Sequence, residues 1–177
     1  MKTKNLFALA IASAFCTWLS TAPIGSAIAA VLGPALLIYI ALHASTTRRA
    51  CIVIFSTQFP LWLVLHSWIS EVTFLGWLAL ALYMSLWAPL FVFLLRKTKN
   101  IPISVVITAP VLWVALECLR GIVIFDGYPW YLAGTGAVES PLANIAMYGS
   151  VWAVSFLVVT IAAVVATFRS QRWYTIA

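Results

Sequence analysis

Residues 72–95, VTFLGWLALALYMSLWAPLFVFLL, contain no charged side chain and decide the class of this protein. A helix needs about 20 apolar residues to cross the hydrocarbon core of a bilayer, and this stretch is long enough. The chain as a whole is also strongly apolar, since 64% of its 177 residues are hydrophobic and only 8% are charged. With a mean hydropathy of +1.08, a soluble domain of this size could not bury its apolar surface. The sequence therefore predicts an all-α integral membrane protein.

Six apolar stretches are long enough to span the membrane, and together they predict one polytopic domain over residues 1–177. They cover approximately residues 6–22, 24–43, 50–69, 72–95, 103–122 and 146–168. Pro23 and Gly25 separate the first two, because a Pro-x-Gly tract favours a tight turn over one long helix. The first stretch also resembles a secretory signal peptide. We expect it to be retained, because the apolar character resumes directly after Gly25.

The basic residues predict the orientation of this six-helix bundle. They alternate with the spans so that every cluster reaches the same side: Lys2 and Lys4, Arg48 and Arg49, Arg96, Lys97 and Lys99, and Arg169 and Arg172. Since lysine and arginine are retained on the cytoplasmic side, both termini are predicted to be cytoplasmic. The net charge of +6 is then a topological signal, and no nucleic-acid partner is expected.

The cysteines and histidines give little indication of catalysis. Cys16, Cys51 and Cys118 lie far apart in predicted spans, without the spacing of metal ligands, and are expected to be apolar core residues. No catalytic residue, metal or cofactor is predicted in this chain. His43 and His66 lie near span ends, where His66 could line a polar cleft, and we retain His66 as an accessory site residue.

The candidate site begins in residues 113–130, WVALECLRGIVIFDGYPW, where Glu117 and Arg120 enter the end of an apolar helix. Ionisable residues in a span are costly and indicate a functional site. Because Glu117 and Arg120 are three residues apart, they lie on the same face of a helix. Trp113, four residues before Glu117, lies on that face as well. Two interpretations remain open: the pair neutralises itself and locks this span to a neighbour, or Arg120 donates to a phosphate or carboxylate while Glu117 orients it.

The loop after this helix is suited to the membrane interface. Gly127 permits a close backbone approach, and Pro129 stiffens the turn. Tyr128 and Trp130 belong to the residue types that concentrate at the headgroup level. The sequence therefore predicts a loop that lies in the outer headgroup layer and can hold a lipid.

Residues 110–159 carry a series of short motifs in a fixed order: Trp113, Glu117, Leu119-Arg120-Gly121, Gly127-Tyr128-Pro129-Trp130, Gly134, Ser140-Pro141-Leu142, Gly149 and Val154-Ser155-Phe156-Leu157. This series resembles the E-W-L-R-G, G-F-P-W, S-P-L and G-x-x-G-V-S-F-L elements of bacterial apolipoprotein N-acyltransferases. Weaker likeness occurs in residues 22–25 and 66–69, the latter including Trp68. The chain departs from the family at Cys118, which replaces Trp, at Tyr128, which replaces Phe, and at Asp126, which adds a charge.

The resemblance implies a function in lipoprotein maturation. Family members transfer an acyl chain from a phospholipid to the N-terminal amine of a lipoprotein, using a Glu, Lys and Cys triad in a periplasmic nitrilase-like domain. The six predicted spans offer no match to that triad, so we expect a truncated membrane portion or one that works with a separate nitrilase-like subunit. The implied partners are phospholipid and lipoprotein in the bacterial inner membrane. The implied lipid-binding residues are Glu117, Arg120, Gly127, Tyr128, Pro129 and Trp130, with His66, Trp68 and Trp113 as accessory residues.

Two alternatives to an acyltransferase portion remain. The chain could be a non-catalytic module that binds lipid or lipoprotein. It could also be a small transporter in which Glu117 and His66 relay protons. The sequence argues against transport, because it shows no internal repeat and few charges within the spans.

Overall fold

The computed structural model describes residues 1–98 and 103–168, and within these residues every regular element is helical. The α-helices are α1 Thr3–Ser20, α2 Ala27–His43, α3 Thr47–Leu65, α4 Phe74–Ser85, α5 Trp87–Lys97, α6 Val105–Cys118 and α7 Ala146–Thr167. Four helical stretches are long and apolar enough to cross a membrane: Thr47–Leu65, Phe74–Lys97, Val105–Asp126 and Pro141–Thr167. Ala27–His43 is a shorter apolar helix. The prediction of an all-α membrane protein is confirmed.

Local sequence explains where these helices begin. Hydroxyl side chains accept hydrogen bonds from free backbone N–H groups at the start of four helices, namely Ser26 for α2, Thr46 for α3, Thr73 for α4 and Ser104 for α6. A short 3₁₀ helix, Ser67–Glu71, connects α3 to α4. The stretch predicted as one span at 72–95 divides into α4 and α5 at Leu86. Pro89, which has no N–H to continue the ladder, lies in the first turn of α5.

The α1–α2 hairpin predicted around Pro23 and Gly25 is present, and its two helices pack closely. The hydroxyl of Ser13 donates to the Gly33 carbonyl at 2.9 Å, which is a contact that only small residues allow. Helix α7 packs against both α2 and α6. The largest cluster of buried apolar side chains combines residues of α1, α2, α3, α5, α6 and α7.

Hydrogen bonds indicate that several of the predicted basic clusters lie at the same end of the bundle. The amino group of Met1 donates to the His43 carbonyl at 3.3 Å, and Arg96 donates to Thr47 Oγ1 at 2.8 Å and to the Ala41 carbonyl at 2.6 Å. The start of α1, the α2–α3 connection and the end of α5 thus share one end. Lys99, Arg169 and Arg172 lie outside the described residues. The cytoplasmic assignment of this end stays a prediction.

The opposite end carries the long connection between α6 and α7. Helix α6 passes into a π-helical turn, Leu119–Val123, and then a 3₁₀ turn, Ile124–Asp126. Residues 127–132, which we call the anchored loop, follow next. Two further 3₁₀ helices, Ala133–Ala137 and Pro141–Ile145, lead into α7. This connection contains most of the predicted site residues.

Candidate functional site

Arg120 binds the anchored loop through its guanidinium group. Its Nη1 donates to the Trp130 carbonyl at 2.6 Å and to the Tyr128 carbonyl at 3.3 Å, while Nη2 donates to the Tyr131 carbonyl at 3.4 Å. Only 5% of the Arg120 side chain is exposed. One guanidinium therefore provides hydrogen-bond donors for three backbone carbonyls of the loop.

Glu117 binds the next backbone segment with the opposite polarity. Its Oε1 accepts from the Ala133 N–H at 2.7 Å and from the Trp113 indole Nε1–H at 2.9 Å. The hydroxyl of Ser155 in α7 accepts from the neighbouring Gly134 N–H at 2.8 Å. Arg120 therefore binds carbonyl groups of the anchored loop, and Glu117 binds the first backbone N–H group after that loop.

This arrangement bears on the two interpretations of the charged pair. The hydrogen bonds of Glu117 and Arg120 go to different parts of the backbone instead of to each other. Arg120 lies in the π-helical turn, whose wider winding departs from the α-helical face assumed from a spacing of three. The donors of Arg120 point into the protein, so its role in the structure is to position the loop.

The chain reverses direction between the π-helical turn and the anchored loop. Phe125, Asp126 and Gly127 have φ values of 54°, 60° and 93°. Such values are unfavourable for residues other than glycine and persist where surrounding contacts enforce them. The Tyr128 N–H donates to the Arg120 carbonyl at 2.8 Å and closes the reversal. Phe125 is left 83% exposed at its tip.

His66, at the end of α3, joins that helix to the anchored loop. Its Nδ1 lies 2.9 Å from the Trp62 carbonyl, which can only accept, so Nδ1 carries the proton. Its Nε2 then accepts from the Tyr128 hydroxyl at 2.9 Å. Burial raises the pKa of Tyr128 to about 12, which keeps this phenol a donor. The Tyr131 hydroxyl adds a second link by donating to the Leu65 carbonyl at 3.1 Å.

We expect the stability of this junction to depend on the protonation of His66. Burial and, more weakly, the charge of Arg120 lower the pKa of His66 from its ordinary value of 6.5, against the opposing effect of the bond to Trp62. The unfolded chain therefore binds more protons below pH 6.5, and the free energy of unfolding falls as the pH drops. The slope from one group is at most about 1.4 kcal/mol per pH unit.

Thermal unfolding in detergent between pH 7.5 and 5.5 measures this slope. In His66→Asn the slope should flatten. An equal slope in wild type and His66→Asn would contradict the assignment.

The predicted site residues do not all converge. Hydrogen bonds join Arg120, Tyr128 and His66, and a separate hydrogen bond joins Glu117 to Trp113. Trp130 contributes its carbonyl to Arg120, while its side chain is 62% exposed. Pro129 is exposed, and Trp68 lies outside this network with 61% of its surface exposed.

Sequence reasoning missed the roles of two residues in the site. Ser155 anchors Gly134, and Tyr131 connects the loop to α3. Ser155 lies in one of the motifs shared with the family, and Tyr131 directly follows Trp130 in the loop after α6. The signal was therefore present, but their partners were not visible in the sequence.

The cysteines lie apart from this network. Cys16, Cys51 and Cys118 are free thiols of intermediate exposure. In residues 1–98 and 103–168, no three His, Cys, Asp or Glu side chains gather in a way that could hold a metal ion.

Comparison with known proteins places this geometry in a family. The model of the apolipoprotein N-acyltransferase N-terminal domain matches residues 13–164. The chain belongs to this family. Among similar proteins, the apolipoprotein N-acyltransferase of Vibrio cholerae is 31% identical over 158 residues, which is 81% of this chain. That of Pasteurella multocida is 36% identical over 88 residues, and that of Azotobacter vinelandii is 40% identical over 79 residues.

The matches define which portion of the family is present. The chain spans 31% of the length of the Vibrio cholerae relative and 16% and 15% of the Pasteurella multocida and Azotobacter vinelandii relatives. The match is to the N-terminal domain, so this chain is a membrane portion similar to that of an apolipoprotein N-acyltransferase. The family resemblance expected from residues 110–159 is confirmed.

Proposed function

We propose that this chain is the lipid-presenting membrane portion of an apolipoprotein N-acyltransferase, and that it acts with a nitrilase-like catalytic domain. The proposed reaction transfers an acyl chain from a phospholipid to the N-terminal amine of a lipoprotein. Family membership supports the reaction class. The observation that carries the role of this portion is the anchored loop, whose backbone is held by Glu117 and Arg120 while Trp130 remains exposed.

The rigidity of the loop is what makes it suited to presenting a lipid. Its carbonyls and the following N–H groups are bonded to buried side chains, so its aromatic side chains keep a defined position. Trp130 and Phe125 are exposed at the end of the bundle opposite to the basic clusters. Aromatic side chains favour the headgroup level. We place this end on the outer side of the bacterial inner membrane, where phospholipid and lipoprotein would meet.

Acyl-transfer assays test the proposal directly. The purified chain is placed in phospholipid vesicles with a diacylated lipopeptide, with and without a separately made nitrilase-like domain. The membrane portion of the Vibrio cholerae relative, treated identically, serves as the positive control. We expect N-acylated peptide only when the catalytic domain is added. If the control forms product and this chain does not, the proposal is wrong.

A Trp130→Ala substitution should lower transfer without unfolding the protein. The Trp130 side chain is exposed, and its carbonyl remains available to Arg120 after the change. Loss of one aromatic contact of the kind that dominates interfaces is expected to reduce kcat/KM about tenfold. Tyr148→Ala, which removes another exposed aromatic side chain, is the matched control. Equal transfer by Trp130→Ala and wild type would contradict a lipid-contacting role for Trp130.

A further inference from the structure

A cavity of about 90 Å³ lies beneath the anchored loop, within the helical bundle. It is lined by side chains from several helices, among them Gln58, Trp62, Phe91, Trp113, Leu116 and Glu117. Most of this wall is apolar or aromatic, as in sites that bind aliphatic molecules. The cavity is separate from the exposed face of the loop, where the lipid-presenting role was placed.

Three buried polar atoms of the cavity residues have no hydrogen-bond partner. They are the Oε2 atom of Glu117, which is 5% exposed, the Nε1 atom of Trp62, which is 7% exposed, and the Nε1 atom of Trp87. Buried polar groups without partners are rare and costly in native proteins. A carboxylate oxygen accepts and an indole N–H donates. The missing group must therefore both donate and accept.

The charges of the cavity favour a neutral ligand. Glu117 and Arg120 both line it, so that their opposite charges offset each other. A charged ligand would add an uncompensated charge in a largely apolar site, which is unfavourable. A hydroxyl group is neutral, donates one hydrogen bond and accepts two, and so complements the one free acceptor and the two free donors.

We propose that this cavity binds the hydroxyl end of a neutral aliphatic molecule. The hydroxyl donates to Glu117 Oε2 and accepts from the Nε1–H groups of Trp62 and Trp87. The aliphatic chain packs against Phe91 and Leu116. This site is independent of acyl transfer, and its test measures binding alone.

Photolabelling of the whole chain in phospholipid nanodiscs tests the site. The probe is 1-octanol with a diazirine on its chain, and labelled residues are located by mass spectrometry. We expect label on the cavity residues, displaced by 1-octanol and about tenfold less well by heptyl methyl ether, which only accepts hydrogen bonds. Equal displacement by the ether, or label confined to lipid-facing residues because water fills the cavity, would overturn the proposal.

Two competitors distinguish the source of the hydroxyl. Monoolein represents a neutral membrane lipid, and 1-octanol represents a free alcohol. Stronger displacement by monoolein assigns the site to a lipid, and displacement by 1-octanol alone assigns it to a small alcohol. Failure of both to displace the label counts against the site.

Variants link the binding to two of the three free atoms. Trp62→Phe removes the indole donor and should reduce displaceable labelling about fivefold, whereas Trp68→Phe, at an exposed tryptophan, should not. Glu117→Gln replaces the free acceptor by a donor, so the preference for octanol over the ether should fall to about one. Ala88→Leu fills the cavity and should abolish the label. Unchanged labelling and preference in folded Trp62→Phe and Glu117→Gln would refute the assignment.

Discussion

Replacing Arg120 by alanine is expected to lower the free energy of unfolding by roughly 3–5 kcal/mol, the range found when one member of a buried charged pair is removed. The guanidinium binds the carbonyls of Tyr128, Trp130 and Tyr131, and its charge offsets that of Glu117. Without it, buried carbonyls and a buried carboxylate lose their compensation. Thermal unfolding in detergent should show a midpoint lower by on the order of 10 °C.

Two further variants make the Arg120 result specific. Arg120→Lys keeps the charge but not the planar fork, so it should recover only part of the lost stability. Arg48→Ala removes an exposed arginine at the other end of the bundle and should leave the midpoint within a degree or two of wild type. A midpoint for Arg120→Ala as high as that of Arg48→Ala would show that the guanidinium does not hold the loop.

Gly127→Ala is expected to have an effect of similar size, about 2–4 kcal/mol, through the backbone. Gly127 has a φ of 93°, which side-chain-bearing residues rarely adopt. A Cβ atom here would overlap the carbonyl oxygen of Gly121 and lie 2.9 Å from its carbonyl carbon. Because both atoms belong to the backbone, the reversal itself would have to move. Hydrogen exchange should show the amide of Tyr128 losing protection.

Gly33→Ala is the matched control for this substitution. A Cβ atom at Gly33 would make ordinary contacts, at 3.5 Å to Thr17 Oγ1 and 3.6 Å to Cys16 Cβ. Gly33 lies inside α2, where alanine is the better helix former by roughly 0.5–1 kcal/mol. The control should therefore be neutral or slightly stabilising. If both alanine variants behave alike, the strained reversal at Gly127 is not the cause.

The helices were predictable because hydropathy and length suffice for membrane spans. The stretches predicted at 24–43, 103–122 and 146–168 correspond to α2, to α6 with its π-helical turn, and to α7. Interruptions were harder to predict. The division of α4 from α5 at Leu86 and the break in α7 at Gly149 and Ser150 depend on how neighbouring helices satisfy the backbone.

The sequence identified the buried charges Glu117 and Arg120, but it did not predict how they are bonded, and their role in lipid binding stays a prediction. A spacing of three residues suggested that Glu117 and Arg120 share a helical face. The structure has a π-helical turn there, and each side chain binds a different part of the loop. We therefore propose that exposed residues such as Trp130 contact the lipid, and not Arg120, which is buried.

The sequence by itself determined that this is an all-α membrane protein of the apolipoprotein N-acyltransferase family, with its unusual charges at the end of α6. These conclusions rest on composition, hydropathy and motif order, which are local properties of the chain. Only the tertiary structure decided that the guanidinium of Arg120 binds three loop carbonyls and that Glu117 keeps one oxygen free beside a cavity. Those bonds join groups from separate helices and loops, and their partners are chosen by packing, since no buried polar group can turn to water.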